Sequence, residues 1–292
     1  MKIGLVIGDF AWEGGTARMA DTLAGIARTA DDTGFSLVGV GDHLWQGPHA
    51  GGPEAPQLEC FTTLAVIAAH TRRCRIAPVV AGVHFRQPGL LAKTVSTLDV
   101  LSGGRAMLGL GVGWYEDEAR GLGIPYPSLT ERFEMLEETV RICHALWQGE
   151  RGTEQPFAGK HYRLDRALSA PGTLARPHPP IMIGGGGKKT LRLVARHADA
   201  CNLYPGPDLP AKLDVLRAHC AAEGRDYDAI EKTCIMPFDT GPDGAGAAAL
   251  AEQLRGLAAQ GVETAIGIVS GPDPVRQVEI IGTKVIPAVA DA

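Results

Sequence analysis

Short apolar runs alternate along this chain with longer stretches whose apolar positions recur every three to four residues. Residues 2–8 read as a strand, and residues 17–33 as a helix ending at Gly34. The pattern continues with strands at 37–41, 74–80 and 105–110 and helices at 61–71, 88–101 and 129–147. Pro88 suits a first helical turn, and Ser102, Gly103 and Gly104 stop that helix. After residue 180 come strands at 181–184, 200–204, 233–238 and 264–269, each followed by a helix, at 189–197, 212–224, 247–261 and 272–281. Eight strand–helix units in strict order predict a parallel sheet with helical crossovers. Within 292 residues they predict an α/β fold, a closed (β/α)8 TIM barrel forming one domain over residues 1–292. A doubly wound open sheet is the rival, but Gly8-Asp9-Phe10 after the first strand offers no dinucleotide fingerprint. Two excursions interrupt the repeat: 43–60 after strand two, and 149–179, with a hairpin at 159–164, before strand five. The first lies on the strand-to-helix side, where barrel active sites sit.

Composition narrows the classes. A 45% apolar, 21% charged chain with net charge −5 excludes disorder and gives no reason to expect nucleic-acid binding. No apolar run approaches the roughly 18 residues of a spanning helix, so no membrane partner is expected. The six cysteines fit neither a zinc knuckle nor a redox pair; they read as free thiols in a reducing, cytoplasmic setting. No metal-binding spacing and no G-x-S-x-G elbow occurs.

In a barrel, chemistry lies just after each strand. Four clusters meet that test. Asp42 and His43 end strand two, where His43 could act as general acid or base near neutral pH or be a satisfied polar residue. Strand three ends in Pro78-Val79-Val80-Ala81-Gly82, small enough for a planar ring to lie on the backbone. Strand four runs into Gly109-Leu110-Gly111-Val112-Gly113-Trp114-Tyr115. Alternating glycines there suggest close approach of a ligand or of another backbone, and Trp114 and Tyr115 could stack on a ring or pack. Strand five leads into Gly184, Gly185, Gly186 and Gly187, then Lys188 and Lys189; free amides at a helix start followed by cations could cradle a phosphate, or the run could be a flexible connection.

These segments, with Leu98-Asp99-Val100-Leu101-Ser102-Gly103-Gly104-Arg105, Glu131-Arg132-Phe133 and Ala198-Asp199-Ala200-Cys201-Asn202, resemble the bacterial luciferase-like family (the luciferase-like monooxygenase superfamily) of flavin and deazaflavin enzymes over nearly the whole chain. The Gly-Trp-Tyr and Gly-Gly-Gly-Gly-Lys-Lys runs look most like the branch using the deazaflavin coenzyme F420. The resemblance implies an oxidoreductase passing hydride between F420 and a small organic substrate with an activated C=C, C=N or C=O. His43 would be its catalytic residue. Asp42, Val79, Ala81, Gly111, Gly113, Trp114, Gly184, Gly185, Gly186, Gly187 and Lys188 would hold the cofactor. It also implies a homodimer and a non-proline cis peptide, expected at Pro78–Val79. Sugar-phosphate dehydrogenases of this family carry a catalytic glutamate where Trp114 stands here; Glu116 and Glu118 lie out of register, and the Trp-Tyr wall suits a less polar, electron-poor substrate. The alternatives are an FMN-dependent monooxygenase of the same family, a non-catalytic cofactor-binding protein, and an aldolase. An aldolase would want a lysine at a strand end, whereas Lys2 and Lys232 lie near strand starts.

Overall fold

The computed structural model describes residues 1–149, 152, 154–241 and 243–292. In chain order the elements are β1 (Lys2–Ile7), α1 (Gly15–Thr33), β2 (Leu37–Val40), α2 (Cys60–His70), β3 (Arg75–Pro78), β4 (Ala81–Gly82), α3 (Pro88–Ser102), β5 (Leu108–Gly111), α4 (Glu116–Gly121), α5 (Leu129–Gln148), β6 (Phe157–Ala158), β7 (Arg163–Leu164), β8 (Ile181–Gly184), α6 (Lys188–His197), β9 (Ala200–Leu203), α7 (Leu209–Glu223), β10 (Glu231–Pro237), α8 (Ala247–Ala258), β11 (Thr264–Val269), α9 (Pro274–Ile280) and α10 (Ile286–Ala288), with a single π turn at Ile281–Val285 between the last two.

The barrel is there as the alternation predicts. Every pair in its sheet is parallel, in the order β3-β2-β1-β11-β10-β9-β8-β5-β4. The two ends of that order, β3 and β4, are halves of one stave. A bridge from Ile76 to Ala106 brings β3 against the segment leading into β5 and closes the ring. Strand three, expected as one run, is split into β3 and β4, with a cis Val79–Val80 peptide between them. The cis bond therefore falls one residue after the expected Pro78–Val79. Pairing with β2 runs through Pro78, and Val79 still donates its N–H to Val40, so the chain can leave the ladder only after that.

Core packing follows from strands buried on both faces. Val6, Ala77, Met107, Met182 and Ile266 fill the barrel interior, while a larger cluster lies between staves and helices. Chain punctuation sets helix ends as expected: Pro88 opens α3, Gly103 closes it at φ 75°, and Ser128 with Glu131 forms a capping box on α5. The excursion before β8 carries the β6–β7 hairpin and lies outside the barrel. The Glu138 carboxylate of α5 accepts the amides of Lys160, His161 and Tyr162, and Asp99 of α3 accepts those of Leu174 and Ala175. All six cysteines are buried and unpaired. Among the described residues no helix is long and apolar enough to cross a membrane.

Candidate active site

A cavity of about 380 Å³ opens at the C-terminal ends of the staves. It gathers residues from all four clusters singled out in the sequence: His43, Val79, Ala81, Gly111, Gly113, Trp114, Gly184 and Gly185 line it. Gly186, Gly187 and Lys188 do not; they run outward from it to the start of α6.

His43 is the polar centre of this cavity. Its ring is about a quarter exposed, and its Nδ1 lies 3.0 Å from Glu118 Oε2. The Glu118 side chain has no solvent exposure, and its other oxygen accepts the amides of Leu44 and, at 2.9 Å, Trp45. Burial by itself would raise the Glu118 carboxyl. The bonds from His43 and the two amides outweigh burial and hold the group below its ordinary value. Glu118 thus fixes the imidazole orientation and leaves Nε2 as the atom that can meet a ligand. Glu118, past the position of Trp114 at which the linear reading looked for a glutamate, stands behind His43. It sits on α4, a short helix missed in the alternation because six residues give no clear period. The run Glu116-Asp117-Glu118, acidic at a helix start, was the available signal.

Asp42 lines the cavity beside His43, with its side chain buried. The carboxylate takes two bonds from Arg86, at 2.6 and 3.0 Å, and the Gly82 amide at 3.1 Å. Arg86 in turn reaches Glu59 at 2.6 Å. Asp42 therefore ties the end of β2 to β4 just beyond the cis bond.

The strand-four glycines answer to the protein itself. A Cβ on Gly109 would lie 2.2 Å from the Pro78 carbonyl oxygen and 3.0 Å from Val80, and one on Gly113 would lie 2.4 Å from the His84 ring. Close approach of another segment was one of the two readings, and that segment is the kinked third stave. Val80, which the sequence reading passed over, thereby projects over β5 and β8 as the floor of the cavity, beside Val79 and Ala81.

His84 is a second imidazole in the wall. Both ring nitrogens are buried without a partner, and the ring packs on Phe85 and edge-on to Tyr126. Burial, then the charge of nearby Arg132, push it down to about 4. The unfolded chain holds this proton at pH values where the folded one does not, so stability is full above about pH 6.5 and falls toward pH 4. Between pH 7 and pH 5, His84 alone is expected to cost about 2 kcal/mol. Urea midpoints for the wild type and His84→Leu at the two pH values check this: the acid loss should shrink in the variant, and an equal loss in both would refute it.

The glycine loop fits a phosphate-bearing ligand. Gly187, the N-cap of α6, supplies no side-chain cap, so the first amides of the helix have no side-chain acceptor. Lys188 and Lys189 are exposed there, and the Lys212 stem passes 2.9 Å from where a Gly186 Cβ would be. Lys212, which reaches this loop from α7, was not legible in linear order.

Residues 1–272 match the family model of the luciferase-like monooxygenases. Among curated proteins, the F420-dependent glucose-6-phosphate dehydrogenase of Nakamurella multipartita is 35% identical over 231 residues, which are 75% of this chain and 64% of that protein. Among solved structures, an F420-dependent secondary alcohol dehydrogenase superposes with a TM-score of 0.80 at 18% identity, covering 99% of both chains. A monooxygenase from Streptomyces bottropensis superposes with a TM-score of 0.79 at 20% identity, covering 98% of this chain and 99% of its own. At these identities the two structures speak for the fold alone.

Proposed function

The chain belongs to the luciferase-like monooxygenase family, and from that premise we propose that it is an oxidoreductase using coenzyme F420 to exchange hydride with a small organic substrate. The observation that carries this reading is one cavity that joins an apolar floor (Val79, Val80, Ala81) to a buried-carboxylate-supported His43 and opens, through Gly184 and Gly185, toward the uncapped start of α6. The resemblance of the chain's relatives, several of them named F420-dependent, supports the choice of cofactor.

When bound, the deazaflavin supplies a carbon that can carry hydride; the protein supplies binding, orientation and protons. The α6 amides, with Lys188, hold the phosphate end. Val80 backs the ring. His43 Nε2 gives or takes the proton that accompanies hydride transfer, while Glu118 keeps Nδ1 engaged. Trp114 and Tyr115, stacked with ring centroids 5.0 Å apart, wall the side next to His43.

A fluorescence titration with F420 and, separately, with FMN tests the reading. Micromolar or tighter binding of F420, with FMN at least tenfold weaker, is the expected result. Preference for FMN would move the function to oxygen chemistry with a partner reductase, and binding of neither would refute the cofactor assignment.

A further inference from the structure

Resting on the deazaflavin reading above, we infer that the substrate is an uncharged, flat conjugated carbonyl compound of the aryl-enone type, and not a sugar phosphate.

Charge is the first ground. Among the described residues that line the cavity there is no lysine or arginine. Arg86 lies close by but is engaged by Asp42 and Glu59. The cations at the mouth, Lys188, Lys189 and Lys212, cluster at the start of α6, where the cofactor's own phosphate would sit, and Lys212 is already paired with Asp208 at 2.8 Å. The charged group that reaches the cavity wall through His43 is the Glu118 carboxylate. A phosphate brought beside His43 would find no lysine or arginine among the described lining residues to pair with.

Exposed aromatic surface is the second. Trp114 is 60% exposed and Tyr204 66% exposed, yet both line the cavity. They follow β5 and β9, the staves on either side of β8, and so flank the glycine loop. Large rings left open at the mouth of a pocket offer stacking faces to a flat ligand. His43 stands edge-on to Trp114 at 5.4 Å, so a ring laid against that indole is adjacent to the proton donor.

The chemistry balances as a conjugate reduction. A bound reduced deazaflavin would supply the hydride, with its electron pair, to the β-carbon of the enone. The C=C π pair moves to the α-carbon, which takes the proton of the His43 imidazolium. The product is the saturated ketone; the deazaflavin is left oxidised and His43 regains its proton from water.

The test compares 4-phenyl-3-buten-2-one with glucose 6-phosphate on the intact chain, after F420 binding has been measured separately. Calorimetry with and without F420 reads binding, and kcat/KM reads turnover of each compound in its own direction. The enone is expected to bind and be reduced. Glucose 6-phosphate should be disfavoured by roughly 10²–10³-fold, the scale of a charge left without a partner. Trp114→Ala and Tyr204→Ala should each weaken enone binding about threefold to tenfold, and Tyr204→Ala should leave F420 binding unchanged. Equal or better use of glucose 6-phosphate overturns the inference, as does enone affinity that neither variant moves. Absence of F420 binding instead overturns the cofactor reading, and this inference with it.

Discussion

Replacing His43 by alanine is expected to lower kcat by about 10²–10⁴-fold, the usual contribution of a positioned general acid or base, with F420 affinity unchanged. The expectation follows from geometry. His43 is the imidazole in the cavity that has both an exposed edge and a carboxylate behind it. His84, the other imidazole in the wall, has both nitrogens buried and stays neutral down to about pH 4, so it cannot substitute as an acid at neutral pH. Glu118→Gln separates proton transfer from positioning. The amide keeps an oxygen for the Leu44 and Trp45 amides but no longer offers His43 a negative partner. Its kcat should fall by less than in the His43 variant, because the ring itself remains while its carboxylate partner is lost. Stopped-flow turnover, with F420 binding measured alongside, decides. A His43→Ala enzyme with wild-type kcat would remove His43 from the mechanism. A Glu118→Gln enzyme with wild-type kcat would remove the Glu118 charge from it.

The second large effect is expected at a residue with no side chain. Gly187→Asp should weaken F420 binding by about 10–100-fold, the equivalent of losing a hydrogen bond to a charged group, while folding stability stays equal or rises by a few tenths of a kcal/mol. Gly187 has φ −73° and ψ 152°, the extended backbone an N-cap aspartate adopts, and an added Cβ would meet only Thr190 Oγ1 at 3.8 Å. The new carboxylate would therefore cap α6 in the usual way and occupy the amides assigned to the phosphate, with repulsion added. Gly187→Ala is the control: it adds bulk without charge or cap and should bind within a few-fold of wild type. Fluorescence titration and thermal melts on the three proteins give the answer. Unchanged affinity in the aspartate variant would place the phosphate elsewhere.

Much of this site was visible in linear order because barrels put their chemistry directly after strands. His43 after β2, Val79 and Ala81 beside β4, and the β8 glycines were found that way, and all line or lead from the cavity. The misses share one physical cause. Glu118 lies 75 residues from His43, on a single short helical turn after β5. Lys212 reaches Gly186 from the neighbouring unit. Each depends on where a side chain points across the ring, which strand-end position does not specify.

Hydrophobic periodicity, turn glycines and unit count were enough to determine the barrel from the sequence alone, since buried parallel strands and amphipathic helices have distinct periods that local residues must satisfy. The same local rule located the four strand-end clusters. Tertiary structure alone decided that the third stave breaks after Val79, that the strand-four glycines make room for Val80 and His84, and that a remote glutamate stands behind His43. Those are contacts between staves. Ring closure fixes them, because only a closed barrel sets which strand ends face one another across the mouth.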